Sequence, residues 1–238
     1  TNTIGTWENQ SAFKIKVTDD CVLNITGIEE QNKNLVLETG WNLMPVICNL
    51  PVDAVQLFSG LSNDLKIAKD VAGTGVYWPE YGINSIGSVL PGKAYFVKMN
   101  NAGTITFPPN DFSGLKASYS ENEPEQPTPW GWVYKTPSSH IFAIPANITS
   151  LFSDKSFIGA FTTEGICAGT CFIEKGTSKV LVVNTDDPLT PEKEGFTEGE
   201  PLTFRIWDAT TGKEFILRVE YDLNQPDHSG TFAANGIS

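Results

Sequence analysis

A polar, acidic and proline-rich run in the middle of the chain limits its possible folds more than any other feature. Residues 118–129 read SYSENEPEQPTP and show no apolar periodicity. Such a segment cannot bury enough apolar surface to enter a core, so it predicts a short extended linker. We therefore predict two modules of similar size, residues 1–117 and residues 130–238, joined by this linker.

The second module is predicted to be all-β, because short apolar runs alternate in it between turn signals. The predicted strands lie at residues 140–144, 157–161, 166–173 and 179–183. Two inward-facing rows follow them, Leu202, Phe204 and Ile206, and then Phe215, Leu217, Val219 and Tyr221. Residues 208–212 form a hairpin loop between these rows. About seven short strands at this spacing are typical of an immunoglobulin-like or jelly-roll-like β-sandwich.

The first module contains two segments that look like copies of one hairpin. Residues 12–25 align without a gap with residues 94–107, and each has an alternating strand, a polar turn and a returning strand. We therefore predict the end of one repeat in residues 1–28 and a complete repeat in residues 29–117, in a first module that is also all-β and β-sandwich-like. Between the copies, Asp53 is the predicted N-cap of a short helix.

The charge balance excludes some classes of partner. Asp and Glu number 28 against 16 Lys and Arg, which gives a net charge of −12. This field repels nucleic acids and anionic membrane surfaces. The sequence also lacks the ~18-residue apolar run of a membrane-spanning helix. The charge is compatible with neutral polysaccharides, cations and basic proteins as partners. The simpler alternative is that the negative charge only keeps a secreted module soluble.

The four cysteines form no metal-binding pattern. Cys167 and Cys171 lie in one predicted strand about 13 Å apart, which is too far for a disulfide between them. Cys21 and Cys48 could pair across strands, although nothing in the sequence requires it.

Each module carries its own set of short motifs. The motifs of the second module are IGAF at 158–161, CAG at 167–169, DD at 186–187, EGF at 194–196, GE at 199–200 and FRIW at 204–207. Those of the first module are GWNL at 40–43, KD at 69–70, YWP at 77–79, IG at 86–87 and PGKAY at 91–95. With these motifs the chain resembles paired all-β accessory modules of secreted or cell-surface multidomain proteins of Bacteroidetes. The resemblance implies an extracellular accessory or adhesive role within a larger chain. It brings no catalytic residues with it.

Enzymatic motifs are missing from the sequence. The two histidines, His140 and His228, lie outside any zinc motif, and no nucleophile elbow, phosphate loop or dinucleotide fingerprint occurs. We therefore predict no enzymatic activity. A glycosidase-type carboxylate pair needs only a separation of ~5–9.5 Å in space, so a glycan-active enzyme domain stays an alternative.

Aromatic residues in turn-rich segments are the candidates for ligand binding. In residues 76–82, Pro79 and the flanking glycines interrupt the strand, and alternation predicts Tyr77 facing the core with Trp78 and Tyr81 facing solvent. Exposed rings of this kind stack on sugars. The candidate ligand-binding residues are Trp78, Glu80, Tyr81, Asn84, Trp130 and Trp132.

These rings favour a non-catalytic carbohydrate-binding module with a polysaccharide or glycan ligand. A structural or adhesive module that binds a protein partner is the alternative. For Trp78 and Trp132 themselves, the alternative to ligand binding is that they close the ends of their own sandwiches.

The acidic loop at residues 184–200 is the candidate metal site. Asp186, Asp187 and Glu194 could supply carboxylate oxygens to calcium, which takes six to eight oxygen ligands at ~2.3–2.6 Å. The alternative is a solvated loop in which these residues only shape turns.

Overall fold

The computed structural model describes residues 28–61, 63–71, 73–110, 128–136 and 138–238, together with isolated positions between residues 8 and 24. These residues form fifteen strands, two short α-helices and two short 3-10 helices. The predicted all-β class is therefore confirmed. Most of the predicted linker, residues 118–127, lies outside the described residues, as do six of the fourteen residues of the first hairpin copy at residues 12–25.

The chain divides into two compact units. Unit 1 takes its residues from Thr1–Asp70, Tyr77–Pro79 and Asn84–Glu121, and unit 2 takes its residues from Val71–Val76, Glu80–Ile83 and Asn122–Ser238. Each unit has a hydrophobic core of its own.

The first nine strands form three sheets. Their bounds are β1 (Asn34–Leu37), β2 (Gly40–Pro45), β3 (Val52–Asp53), β4 (Leu65–Lys69), β5 (Val76–Trp78), β6 (Ile83–Asn84), β7 (Ser88–Val89), β8 (Ala94–Met99) and β9 (Gly103–Thr106). The largest sheet has the order β2-β8-β4-β5-β6, while β1 pairs with β9 and β3 with β7.

The predicted hairpin at residues 94–107 is wrong. Strand β8 lies between β2 and β4, whereas β9 pairs antiparallel with β1, so that Ile105 lies opposite Leu35. Both of these side chains enter the core of unit 1. Alternation shows which face of a strand is buried, but it does not specify which strand is the partner.

The predicted short helix is confirmed as α1 (Ala54–Phe58). The side chain of Asp53 accepts a hydrogen bond of 2.9 Å from the backbone N–H of Gln56. This cap satisfies one of the amide groups that a helix leaves free at its start. The helix is followed by a 3-10 helix at Ser59–Leu61, and a second one lies at Pro79–Tyr81.

Unit 2 has two sheets that share one core. Its elements are β10 (Ser139–Ile144), α2 (Ala146–Thr149), β11 (Phe157–Phe161), β12 (Cys167–Phe172), β13 (Lys179–Asn184), β14 (Thr203–Asp208) and β15 (Lys213–Leu217). A four-stranded sheet of order β12-β11-β14-β15 and the pair β10-β13 both contribute buried side chains to the core. The arrangement is β-sandwich-like, and the predicted strands and the β14–β15 hairpin are present.

On one side of unit 2, β12 of the four-stranded sheet lies close to β13 of the two-stranded sheet. A Cβ atom at Gly169 would lie 2.3 Å from the carbonyl oxygen of Val182, so only glycine fits there. The amide of Asn184 also donates a 2.9 Å hydrogen bond to the carbonyl of Ala168. These contacts fix the spacing of the two sheets along this side.

The opposite side of unit 2 is more open. Strand β15 is an edge strand that pairs with β14 among the described strands. Leu217 and Tyr221 pack against the core as predicted, but Phe215 and Val219 are exposed, so the predicted inward row is wrong at these two positions. The reason is that a pair of strands is too narrow to cover the whole inner face of a four-stranded sheet.

Candidate functional site

The outer face of the four-stranded sheet in unit 2 brings aromatic and charged side chains into register. Ile158 and Phe204 point into the core, so the residues that alternate with them point outward. These outward residues form two rows that cross all four strands. The first row consists of Phe172, Phe157, Trp207 and Glu214, and the second consists of Thr170, Gly159, Arg205 and Ile216. With strands about 4.8 Å apart, each row spans about 14 Å.

The first row begins with three half-buried aromatic rings in contact. The ring centroids of Phe157 and Phe172 are 5.2 Å apart at an interplanar angle of 67°, and those of Phe157 and Trp207 are 6.4 Å apart at 58°. Such edge-to-face and tilted pairs stabilise one another.

Trp130 lies against the middle of this face because Gly159 leaves room for it. A Cβ atom at Gly159 would lie 2.8 Å from Cζ3 of Trp130. The indole also meets the ring of Phe161 edge-on, with centroids 5.3 Å apart. The sequence prediction that Trp130 helps form a surface site is compatible with this position.

An ion pair sits beside the indole. Nη1 of Arg205 lies 3.1 Å from Oε1 of Glu214, and the side chains are 36% and 38% exposed. The other carboxylate oxygen of Glu214 accepts a hydrogen bond from Nε1 of Trp130. The guanidinium of Arg205 also lies 4.2 Å above the ring of Phe161, a cation–π contact. Glu214 therefore holds both Arg205 and Trp130 in place.

Trp132 is the most exposed of the three candidate tryptophans. Its side chain is 70% exposed, and it follows Trp130 by two residues. Its Cα atom therefore lies at most ~7 Å from that of Trp130. Its predicted role as a ligand-binding ring stays a prediction.

The predicted outward orientation of Trp78 is wrong. The side chain is 0% exposed, and β5 buries Val76 and Trp78 while leaving Tyr77 half-buried. Tyr77 instead stacks on Phe58, with centroids 5.8 Å apart. The alternation of the strand was predicted correctly, but its phase was shifted by one residue, and such a shift exchanges the two faces.

The other three residues predicted beside Trp78 do not form a platform with it. Glu80 and Asn84 are exposed, and the side chain of Asn84 accepts a hydrogen bond of 3.0 Å from the N–H of Gly87 in a local turn. The hydroxyl of Tyr81 accepts a hydrogen bond of 2.8 Å from Gln225. Burial, together with nearby carboxylates, raises the pKa of Tyr81 to about 12. Tyr81 is therefore a neutral, hydrogen-bonded side chain.

The predicted convergence of Asp186, Asp187 and Glu194 on calcium is not found. Asp186 accepts the backbone N–H of Glu194 at 2.8 Å, and Asp187 accepts the backbone N–H of Leu189 at 3.1 Å. Glu194 accepts the hydroxyl of Thr190 at 2.9 Å. Within the described part of the chain, no group of three or more His, Cys, Asp or Glu side chains could hold a metal ion. The carboxylates shape turns instead.

Glu200 fixes the end of the acidic loop. Its buried carboxylate accepts hydrogen bonds from the backbone and hydroxyl groups of Thr163 and Thr197. It also forms an ion pair with Lys193 at 3.2 Å. Burial alone would raise the pKa of Glu200, but these hydrogen bonds outweigh it and lower the pKa to about 2.

All four cysteines are free thiols, so the possible Cys21–Cys48 disulfide is not formed. Burial raises the pKa of Cys167 to about 11 and that of Cys171 to about 12. Both thiols therefore stay protonated and poorly nucleophilic at neutral pH.

Most residues of the outer face were not predicted from the sequence. The missed residues are Phe157, Phe172, Arg205, Trp207 and Glu214. A usable signal was present, because the residues next to the predicted inward row at 204 and 206 must point outward. Applied to the aromatic residues of β11, β12 and β14, the same alternation would have assigned their rings to a surface.

Comparison with known proteins gives no match to any protein family, to any curated protein or to any solved structure. Among the residues described, no helix has the length and apolarity needed to span a bilayer.

Proposed function

We propose that this chain is a non-catalytic carbohydrate-binding module of a secreted or cell-surface protein, and that the outer face of the four-stranded sheet in unit 2 binds the glycan. The observation that carries the proposal is the row of three aromatic rings across β12, β11 and β14, which ends at the carboxylate of Glu214. The row spans about 14 Å, which is longer than a single sugar ring.

The chemistry of this face suits a polyhydroxylated chain. The rings of Phe157, Phe172 and Trp207 offer apolar surface for the CH faces of sugars. Arg205 supplies hydrogen-bond donors and Glu214 supplies acceptors for hydroxyl groups. A few shallow contacts must offset the ordering of a flexible chain, so we expect affinities in the micromolar range or weaker.

Binding fits these two rows better than catalysis does. Glycoside hydrolysis usually requires two carboxylates facing the scissile bond. The two rows contain one carboxylate, Glu214, and both of its oxygens already contact Arg205 and Trp130.

The test is a polysaccharide pull-down and titration with neutral glycans, such as cellulose, xylan, mannan and laminarin. We expect Trp207→Ala to weaken binding by about tenfold, which corresponds to the ~1.4 kcal/mol of one well-packed ring. Leu223→Ala removes an exposed apolar side chain of unit 2 that lies outside both rows, and it should bind like the parent. Parent-like binding by Trp207→Ala, or no neutral glycan bound by the parent, would reject the proposal.

A protein-binding function is the second candidate, and a groove in unit 2 favours it. The groove has a volume of about 390 Å³ and lies between β10, α2 and the segment after β15. Leu151 and Val219 line it and are themselves exposed. An extended apolar segment of a partner would fit such a groove next to an edge strand. Lack of glycan binding by the parent protein would favour this function.

A further inference from the structure

The two rows of the outer face contain a single pair of charged side chains. The two rows contain one cation, Arg205, and one anion, Glu214, so their formal charges cancel. The 3.1 Å separation of Nη1 and Oε1 places the two charges in direct contact. A charged group of a ligand at this face would therefore contact the Arg205–Glu214 ion pair, which has no net charge.

The carboxylate of Glu214 also contacts Trp130, so it affects the position of an aromatic ring as well as the charge of the face. One oxygen accepts from Arg205 and the other accepts from the indole N–H of Trp130. The indole lies against Gly159 in the centre of the face. One carboxylate thus neutralises the arginine and orients the central ring.

We propose that Glu214 is a specificity-determining residue, which makes this face accept neutral glycans and discriminate against glycans that carry carboxylates. This inference rests on the proposed function. With Glu214 ionised, a uronate that approaches Arg205 must compete with the protein's own carboxylate and is also repelled by it. A neutral sugar hydroxyl can bind either partner without disrupting the pair.

The discriminating variant is Glu214→Gln. The amide keeps the size of the side chain and an oxygen that can accept from Trp130 or Arg205, but it removes the negative charge. Arg205 then carries an uncompensated charge beside the aromatic row. We expect binding of polygalacturonate to increase about three- to tenfold, since exposed charge pairs contribute up to ~1 kcal/mol and relief of repulsion adds to this.

A matched control separates this local effect from total charge. Glu174 is also an exposed glutamate in an ion pair, with Lys179 at 2.7 Å, and it lies outside both rows. Glu174→Gln and Glu214→Gln both change the net charge from −12 to −11. If the proposal holds, only Glu214→Gln gains polygalacturonate binding, and the gain disappears in about 1 M salt, where the Debye length is about 3 Å.

Binding of the parent to neutral glycans is measured in the same experiment, so the two proposals can fail separately. If the parent binds a neutral glycan and Glu214→Gln gains no more polygalacturonate binding than Glu174→Gln, the role of Glu214 is rejected and the glycan-binding function stands. If the parent binds no glycan, both are rejected. A salt-resistant gain would likewise overturn the role of Glu214, because its origin would not be electrostatic.

Discussion

Trp78 in unit 1 and Trp207 in unit 2 both lie in strands, yet one is a core residue and the other is a surface residue. Trp78 is fully buried in β5, whereas Trp207 is half-buried on the outer face of its sheet. Two cations show the same contrast. Lys69 is 0% exposed, with Nζ 5.5 Å from the ring centroid of Phe96, while Arg205 lies above Phe161 and stays partly exposed. Residue type therefore does not decide burial here, and the phase of the strand does.

The largest expected effect is on stability, and it separates the buried Trp78 from the exposed Trp132. We expect Trp78→Ala to lower the free energy of unfolding by about 3–5 kcal/mol, because it leaves a large cavity in a packed interior. Trp132→Ala, at an exposed position, should change it by less than ~0.5 kcal/mol. Urea denaturation measures both values. Equal midpoints for the two variants would contradict the burial of Trp78.

The next largest effect is expected for Glu200, which fixes the end of the acidic loop of unit 2. The pKa of Glu200 is lowered from its ordinary value of 4.5 to about 2, so ionised Glu200 stabilises the fold. This contribution should be complete above about pH 5, and it should be lost as the pH falls towards 2. We expect Glu200→Gln to lower the free energy of unfolding by about 2–3 kcal/mol at pH 7 and by much less at pH 3.

Urea denaturation at both pH values measures the difference between Glu200→Gln and the parent. Glu174→Gln serves as the exposed control and should cost little at either pH. A cost for Glu200→Gln that stays the same from pH 7 to pH 3 would show that the carboxylate charge is not the cause.

The smallest expected effect on stability concerns Gly159, against which the indole of Trp130 packs. Gly159→Ala places a methyl group 2.8 Å from both the indole of Trp130 and the ring of Phe161, so both aromatic side chains must shift. We expect weaker glycan binding and a shift in tryptophan fluorescence, with a stability change of about 1 kcal/mol or less. Gly60→Ala is the matched control, since a Cβ there meets no atom within 4 Å. Unchanged fluorescence in Gly159→Ala would contradict the position of Trp130.

The positions of the helix and of many strands could be predicted from the sequence, but the pairing of the strands could not. Asp53 was recognised as a helix cap because capping is a local hydrogen bond to Gln56. The pairing of β9 with β1 is not local, because it joins Ile105 to a strand about seventy residues earlier. Alternation is the same for either pairing, so it does not exclude the hairpin.

The candidate site was harder to predict for the same reason. Trp130 was recognised as a single aromatic residue, but its surroundings depend on strand register across β11, β14 and β15. Glu214 lies more than eighty residues from Trp130 in sequence, and only folding brings the carboxylate to the indole. The acidic loop had the right composition for calcium, but its turns use the carboxylates as hydrogen-bond acceptors.

The two sides of unit 2 should also differ in how often they open. Along β12 the backbone is held against β13 at Gly169 and by the amide of Asn184, so separation there requires many contacts to break together. Along β15 one neighbouring strand provides the described pairing, and Phe215 and Ile216 are exposed. Local fluctuations should therefore begin at β15, whose amide protons would exchange with solvent long before those of β12. The edge that opens first is also the edge most prone to unwanted strand association when the protein is concentrated.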